Sequence, residues 1–158
     1  MAKEIAQKQR RWYYRQITET HRGELFPYSK LLFHGFYDGL RLRLIKELAL
    51  HRAGKILDVG CCDGYVLLTT PRSGGLKIGI DVMPEALKDA KAAAKKLKRH
   101  GETEFLLGDA EKLVLKDSSV DVIISAELLE HVFNPVAVLE EYSRVLKPDG
   151  LLILSLPT

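Results

Sequence analysis

The 158-residue chain has only two cysteines, and they are adjacent, Cys61 and Cys62. Sequence neighbours rarely close a strain-free disulfide on each other, and no second pair completes a zinc site. They read as two small buried side chains. No apolar run approaches the roughly 18 residues needed to span a bilayer. The opening stretch, MAKEIAQKQRRWYYRQ, lacks the apolar core of a secretory signal. A cytoplasmic protein with no membrane partner is expected. Repeats and low-complexity tracts are also lacking. Apolar residues at 46% and charged residues at 28% belong to a packed globular chain and exclude disorder.

Charge is unevenly spread. Residues 1–50 hold 10 Lys and Arg against 5 Asp and Glu, whereas residues 51–158 hold 14 against 16. The basic part sets Trp12, Tyr13 and Tyr14 beside Arg10, Arg11 and Arg15. Such a mixture can grip nucleic acid by phosphate contact and stacking, although a solvated helix with an aromatic stripe has the same look. The division suggests an N-terminal helical cap over 1–50 and a core over 51–158.

The pattern within the core alternates. A polar helix is expected over 2–20 and another over 37–51, its apolar face Leu40, Leu44, Ile45 and Leu48. Then come a strand at 55–59, a glycine corner at 60–64 and a short helix that Pro71 stops. A second strand, 76–80, ends in Asp81. Pro84 opens a helix to about His100, with Leu87, Ala90, Ala94 and Leu97 inward. Strands follow at 103–107 and 120–125, and a short helix starts near Glu127. Asn134 and Pro135 cap a further helix whose buried face is Val138, Leu139, Tyr142, Val145 and Leu146. The chain turns at 148–150 into a last strand. Strands alternating with helices at this spacing mean an α/β fold with a parallel sheet covered on both faces. In such sheets ligands bind at the carboxyl ends of the strands. Gly60, Asp81, Asp109 and Ser125 lie at those ends.

The corner itself, DVGCCDG, permits close backbone approach at Gly60 and Gly64. It fails as a pyrophosphate cradle. Counted from Gly60, the third and sixth positions of G-x-G-x-x-G are Cys62 and Tyr65. No Gly-Lys-Ser/Thr appears either. A nucleoside-like ligand without a pyrophosphate is indicated. Asp81, at the end of the second strand, suits the two hydroxyls of a ribose, with Val82 and Met83 as an apolar wall for a base.

From Lys55 to Pro157 the chain resembles the class I S-adenosylmethionine-dependent methyltransferases of the broad type 11 group. The stretches that carry the resemblance are LDVGCCDG, IGIDVMPEALKDA, LLGDAEKLVLKDSSVDVIISAELLEHVFNP and LEEYSRVLKPDGLLILSLP. It implies a Rossmann-like doubly wound sheet of order 3-2-1-4-5 and S-adenosylmethionine as cofactor. It also implies methyl transfer, with a small molecule the favoured acceptor. Asp58, Gly60, Cys61, Cys62 and Gly64 would hold the methionine part. Asp81 would take the ribose, Val82 and Met83 would flank the adenine, and Gly108, Asp109 and Ala110 would meet its edge. Ser125 and Ala126 would sit beside the sulfonium. Cys62 stands where the family usually has a glycine. If that residue has positive φ, it costs about 1–2 kcal/mol against glycine.

Glu127, Glu130 and His131, at i, i+3 and i+4, would share one helix face. Their spelling resembles metal-assisted O-methyltransferases, but those use a further downstream histidine, which is missing here. No metal is therefore assigned, and Glu130 and His131 stand as candidate general bases. The resemblance also expects a sixth and a seventh strand beyond the fifth, which this sequence lacks. An apolar edge at 151–156 would then be exposed: either a second copy covers it in a homodimer, the reading favoured here, or the chain is a fragment or reduced form of a longer enzyme. Two other readings stay open: a methyltransferase-like binding or assembly module without turnover, and an RNA-directed enzyme using the basic N-terminal part.

Overall fold

In the computed structural model, the described residues are 36–50, 54–71 and 74–156, with positions 4, 8, 11, 12, 15, 16, 19, 25 and 26. Most of the helix expected over 2–20 lies outside them; its seven described positions are helical. The elements run α1 (Phe36–Leu50), β1 (Ile56–Val59), α2 (Tyr65–Thr69), β2 (Lys77–Asp81) and α3 (Pro84–Lys96). They continue with β3 (Thr103–Leu107), β4 (Val120–Ala126), a 3-10 turn (Leu129–His131), α4 (Pro135–Val145) and β5 (Leu146–Ser155). The five strands form one sheet of order β3-β2-β1-β4-β5, parallel throughout. Fold class and strand order are those the sequence led us to expect.

β1 and β2 are buried along their whole length, as strands covered on both faces must be. Residues on alternate sides feed two cores. Ile56, Val122 and Ile124 pack with Leu42, Ile45, Leu67, Leu87 and Ala90 from α1, α2 and α3. Leu57, Val59, Ile78, Ile80 and Ile123 pack with Val138, Tyr142 and Val145 from α4. The register sets Asp58 between Gly79 of β2 and Ile124 of β4. It also brings the carboxyl ends of β1, β2 and β4 to one edge.

Three apolar faces differ from expectation. Among the described side chains of α1, Leu42, Ile45 and Ala49 are buried while Leu44 and Leu48 are exposed; the Leu40 side chain lies outside the described residues. In α3, Leu87, Ala90 and Ala94 point inward, but Leu97 lies past the last helical turn and is partly exposed. In α4, Val138, Tyr142 and Val145 are buried, Leu139 is exposed, and Leu146 already belongs to β5. The cap is as expected: the Asn134 side chain accepts from Ala137 N at 3.2 Å, with Pro135 at the first helical position. β5 lies at the sheet edge, with Leu154 and Leu156 exposed.

The short α2 ends on two cations. Buried Lys77 donates from Nζ to Thr70 O (3.0 Å) and Pro71 O (2.7 Å). Arg99 donates to Leu68 O (2.6 Å) and Thr70 O (2.7 Å). Both neutralise terminal carbonyls that α2 cannot bond internally. Arg144 does similar work on the far face, reaching Leu113 O and Leu115 O at 3.0 and 2.8 Å and pairing with Glu141 and Asp117.

Gly79 is required by packing. A Cβ there would lie 2.7 Å from both Cys61 Sγ and a Phe105 ring carbon. We expect Gly79→Ala to cost about 1–3 kcal/mol in denaturant unfolding, the range for overpacking a filled core. An unchanged midpoint would mean that Cys61 and Phe105 yield freely.

Candidate functional site

The chain leaves β1 through a corner with three left-handed residues in five, Gly60 (φ 77°), Cys62 (φ 49°) and Gly64 (φ 77°). Gly60 N and Cys61 N both donate to Ile80 O, at 2.8 and 3.1 Å, and Gly64 N donates to Cys61 O at 2.9 Å. Gly64 is tight for a second reason: a Cβ would sit 2.8 Å from the Phe105 ring. Cys62 does have the positive φ that its glycine-for-cysteine exchange raised as a question, and it is only partly buried, unlike Cys61. Burial pushes both thiols well above their ordinary range, and neighbouring carboxylates add to this. Both are therefore held toward the thiol form.

Asp81 locks the corner in place. Its Oδ2 accepts from Cys62 N at 2.8 Å and its Oδ1 from Met83 N at 2.9 Å. Gly108 N in turn donates to Asp81 O at 3.0 Å, joining the end of β3 to the same point. Asp109 is a turn residue here, its Oδ1 accepting from Glu111 N at 3.0 Å, and Ala110 beside it is buried. Glu111 Oε1 accepts from Phe133 N (3.1 Å) and Asn134 N (3.2 Å), tying this loop to the start of α4. Val82 and Met83 are partly exposed beside Asp81.

Asp58 has a different environment. It is 2% exposed, and its Oδ2 has no hydrogen-bond partner. Burial, with the charge of Asp81 adding to it, pushes its carboxyl up to about 8. Ser125, at the end of β4, is buried and accepts at Oγ from the Tyr142 hydroxyl at 2.8 Å. Burial also pushes that phenol up. Sequence reasoning placed Tyr142 in the core but missed this bond, which only the packing of α4 on β4 creates.

The expected helix from Glu127 is corrected. Glu127 has φ 53°, and only Leu129–His131 form a 3-10 turn. Glu127 bonds to β5 instead: Glu127 N donates to Ser155 O and Ser155 Oγ donates to Glu127 Oε1, both at 3.0 Å. Glu127, Glu130 and His131 therefore do not share a helical face. Among the described residues, no three His, Cys, Asp or Glu side chains are grouped to hold a metal ion. His131 is largely exposed, 3.9 Å from Glu130 Oε1. A further contact was illegible in sequence: Arg11 and Arg15 both pair with Glu85, in the first turn of α3, at 2.9 and 2.8 Å.

The fold and this corner define a doubly wound α/β protein, a class that binds its ligands at the carboxyl edge of the sheet. Residues 57–154 match the family model described as a methyltransferase domain, and the chain belongs to that family. It is 33% identical over 127 residues to a ubiquinone biosynthesis O-methyltransferase of Actinobacillus pleuropneumoniae, covering 73% of this chain and 51% of that protein. A crystal structure of a SAM-dependent methyltransferase from Aquifex aeolicus superposes with a TM-score of 0.64 at 30% identity, covering 72% of this chain and 62% of that one. The [4+2]-cyclase SpnF superposes at 0.70 and 26% identity, covering 74% and 44%. The chain thus spans about half the length of the curated relative.

S-adenosylmethionine is the cofactor these findings support. The residues present fit it. A buried, unpartnered acidic oxygen at Asp58 suits a cationic end.

Two outcomes follow from this geometry. Asp58, with a folded pKa above its unfolded value near 4, stabilises the fold when protonated. That contribution is complete below about pH 4 and is lost as pH climbs through about 8. Asp58→Asn is therefore expected to raise the melting temperature of the ligand-free protein, by a margin that widens from pH 5 to pH 9. A margin flat in pH would show that Asp58 is already ionised at pH 5. At the corner, Cys62→Gly should be more stable than Cys62→Ala by about 1 kcal/mol, because only glycine relieves the positive φ. Equal unfolding midpoints would contradict the strain.

Proposed function

We propose that residues 51–158 form the cofactor-binding core of an S-adenosylmethionine-dependent methyltransferase, and that 1–50 cap it. The favoured acceptor is a small molecule bearing a hydroxyl. The observation that carries the reading is the meeting of Asp58, the Gly60–Gly64 corner, Asp81 and Ser125 at one sheet edge. The acceptor class draws support from the O-methyltransferase named among the relatives.

When bound, the cofactor supplies a methyl group on a sulfonium, whose departing thioether is neutral. The protein's task is then mainly to position donor and acceptor in line and to keep water out. In this reading Asp81 orients the ribose while it holds the corner rigid. Gly60 and Gly64 admit the methionine part, which Asp58 meets. Val82 and Met83 wall the base, Gly108, Asp109 and Ala110 meet its edge, and the Tyr142 hydroxyl fixes Ser125 beside the reacting carbon. Glu130 and His131 remain the candidates to take the acceptor's proton.

The RNA-directed reading is disfavoured by one contact. Arg11 and Arg15, two of the cations it needs, are paired with Glu85 in the core. The reading without turnover separates from ours by cofactor binding. Calorimetric titration of the folded chain with S-adenosylhomocysteine should show saturable binding, and Asp81→Asn should weaken it at least tenfold, about 1.4 kcal/mol. No binding by a folded chain, or an unaffected Asp81→Asn, would overturn the assignment.

A further inference from the structure

The corner contains two carboxyls with opposite demands. Asp81 accepts two backbone N–H bonds, from Cys62 and Met83, and these favour its ionised form. Asp58 lies 98% out of solvent in the central strand, its Oδ2 bonded to nothing. Among the described residues, the ionisable side chains that share its surroundings are acids. They are Asp81 from β2, Cys61 and Cys62 from the corner, and Tyr142 from α4. β4 adds Ile124 alongside and the Ser125 hydroxyl, which is bonded to Tyr142. An anion at Asp58 would be both desolvated and repelled.

We propose that Asp58 keeps its proton while the corner is empty and releases it to solvent when the positively charged amino-acid end of the cofactor docks, so that cofactor uptake discharges one proton. This rests on the cofactor reading above. A neutral carboxyl and an incoming cation become a carboxylate–cation pair, and the proton goes to the buffer. No electron moves and no covalent bond to carbon forms or breaks. The buried Oδ2 then gains the partner it lacks. Burial and Asp81, which hold this carboxyl near 8, make the exchange occur around neutral pH. Affinity should therefore climb about tenfold per pH unit below that value, because each unit removes one decade of competing protons.

The test is calorimetric titration with S-adenosylhomocysteine, which carries the ammonium, in two buffers of different ionisation heat at pH 6, 6.5 and 7. Adenosine, which lacks the amino-acid end, is the comparison ligand. We expect close to one proton released per S-adenosylhomocysteine and about tenfold tighter binding at pH 7 than at pH 6. Adenosine should release none. Asp58→Asn should release none with either ligand. If that variant binds too weakly to titrate, infrared difference spectra of the wild type give a second readout. A protonated-carboxyl stretch should vanish on binding and be absent from ligand-free Asp58→Asn. Binding of S-adenosylhomocysteine without proton release and without pH dependence overturns this inference alone. So does equal release with adenosine. No binding at all removes the cofactor assignment of the corner and this inference with it.

Discussion

The site depends on one carboxylate. Asp81 accepts from Cys62 N and Met83 N, and so fastens the exit of β1 to the entry of α3. Magnitudes show why the corner tolerates a cysteine at φ 49°. The strain is about 1–2 kcal/mol, whereas each hydrogen bond to a charged group contributes about 1.5–3 kcal/mol. The two bonds outweigh the strain, so the cysteine stays left-handed and its N–H stays aimed at Asp81. The carboxylate also sits where β3 ends, since Gly108 N bonds to its carbonyl. Three chain segments thus meet at one residue.

The electrostatics of this corner distinguish it from a phosphate cradle. Phosphate sites gather N–H donors and cations. Here several donors are already spent on protein oxygens, and the buried side chains are acids. Lys77, buried, and Arg99, partly buried, face the opposite end of α2, where they bond its carbonyls. Acidic side chains therefore gather at the carboxyl edge of β1 and β2, and positive charge is held at the other end of the short helix. A ligand with a cationic end and no pyrophosphate matches that division.

The parts of this arrangement readable in sequence are those set by local patterning. TEFLL bounds β3 correctly because its neighbours are a glycine pair and a helix end, and Asn134-Pro135 cap α4 because capping is a local bond. The misread parts were set by distant contacts. α1 offers two leucine-bearing faces, and the sheet takes the one with Leu42, Ile45 and Ala49, which periodicity alone does not rank. Glu127 looked helical because three acidic and imidazole positions repeat at helical spacing, but its bonds to Ser155, 28 residues later, pull it into left-handed backbone. The Arg11–Glu85 pair spans 74 residues and has no local signature. Asp58 and Asp81 were both visible as acids at strand ends. Their unlike surroundings were not, because these depend on which of the two the backbone amides reach.

That same backbone links the cofactor corner to the segment beyond β4. A Cβ at Gly60 would lie 3.0 Å from Leu128 Cδ1, so the leucine already rests on the glycine. Leu128 is followed by the 3-10 turn that carries Glu130 and His131, and preceded by Glu127, which is bonded to β5. The turn is therefore braced on two sides, by the corner below and by the edge strand beside it. A bulky residue at position 60 would lift Leu128 and move Glu130 and His131 with it; in the proposed reading it would also obstruct the cofactor. This gives a physical reason for the side chain at position 60 to be absent even though the neighbouring glycine position can be a cysteine.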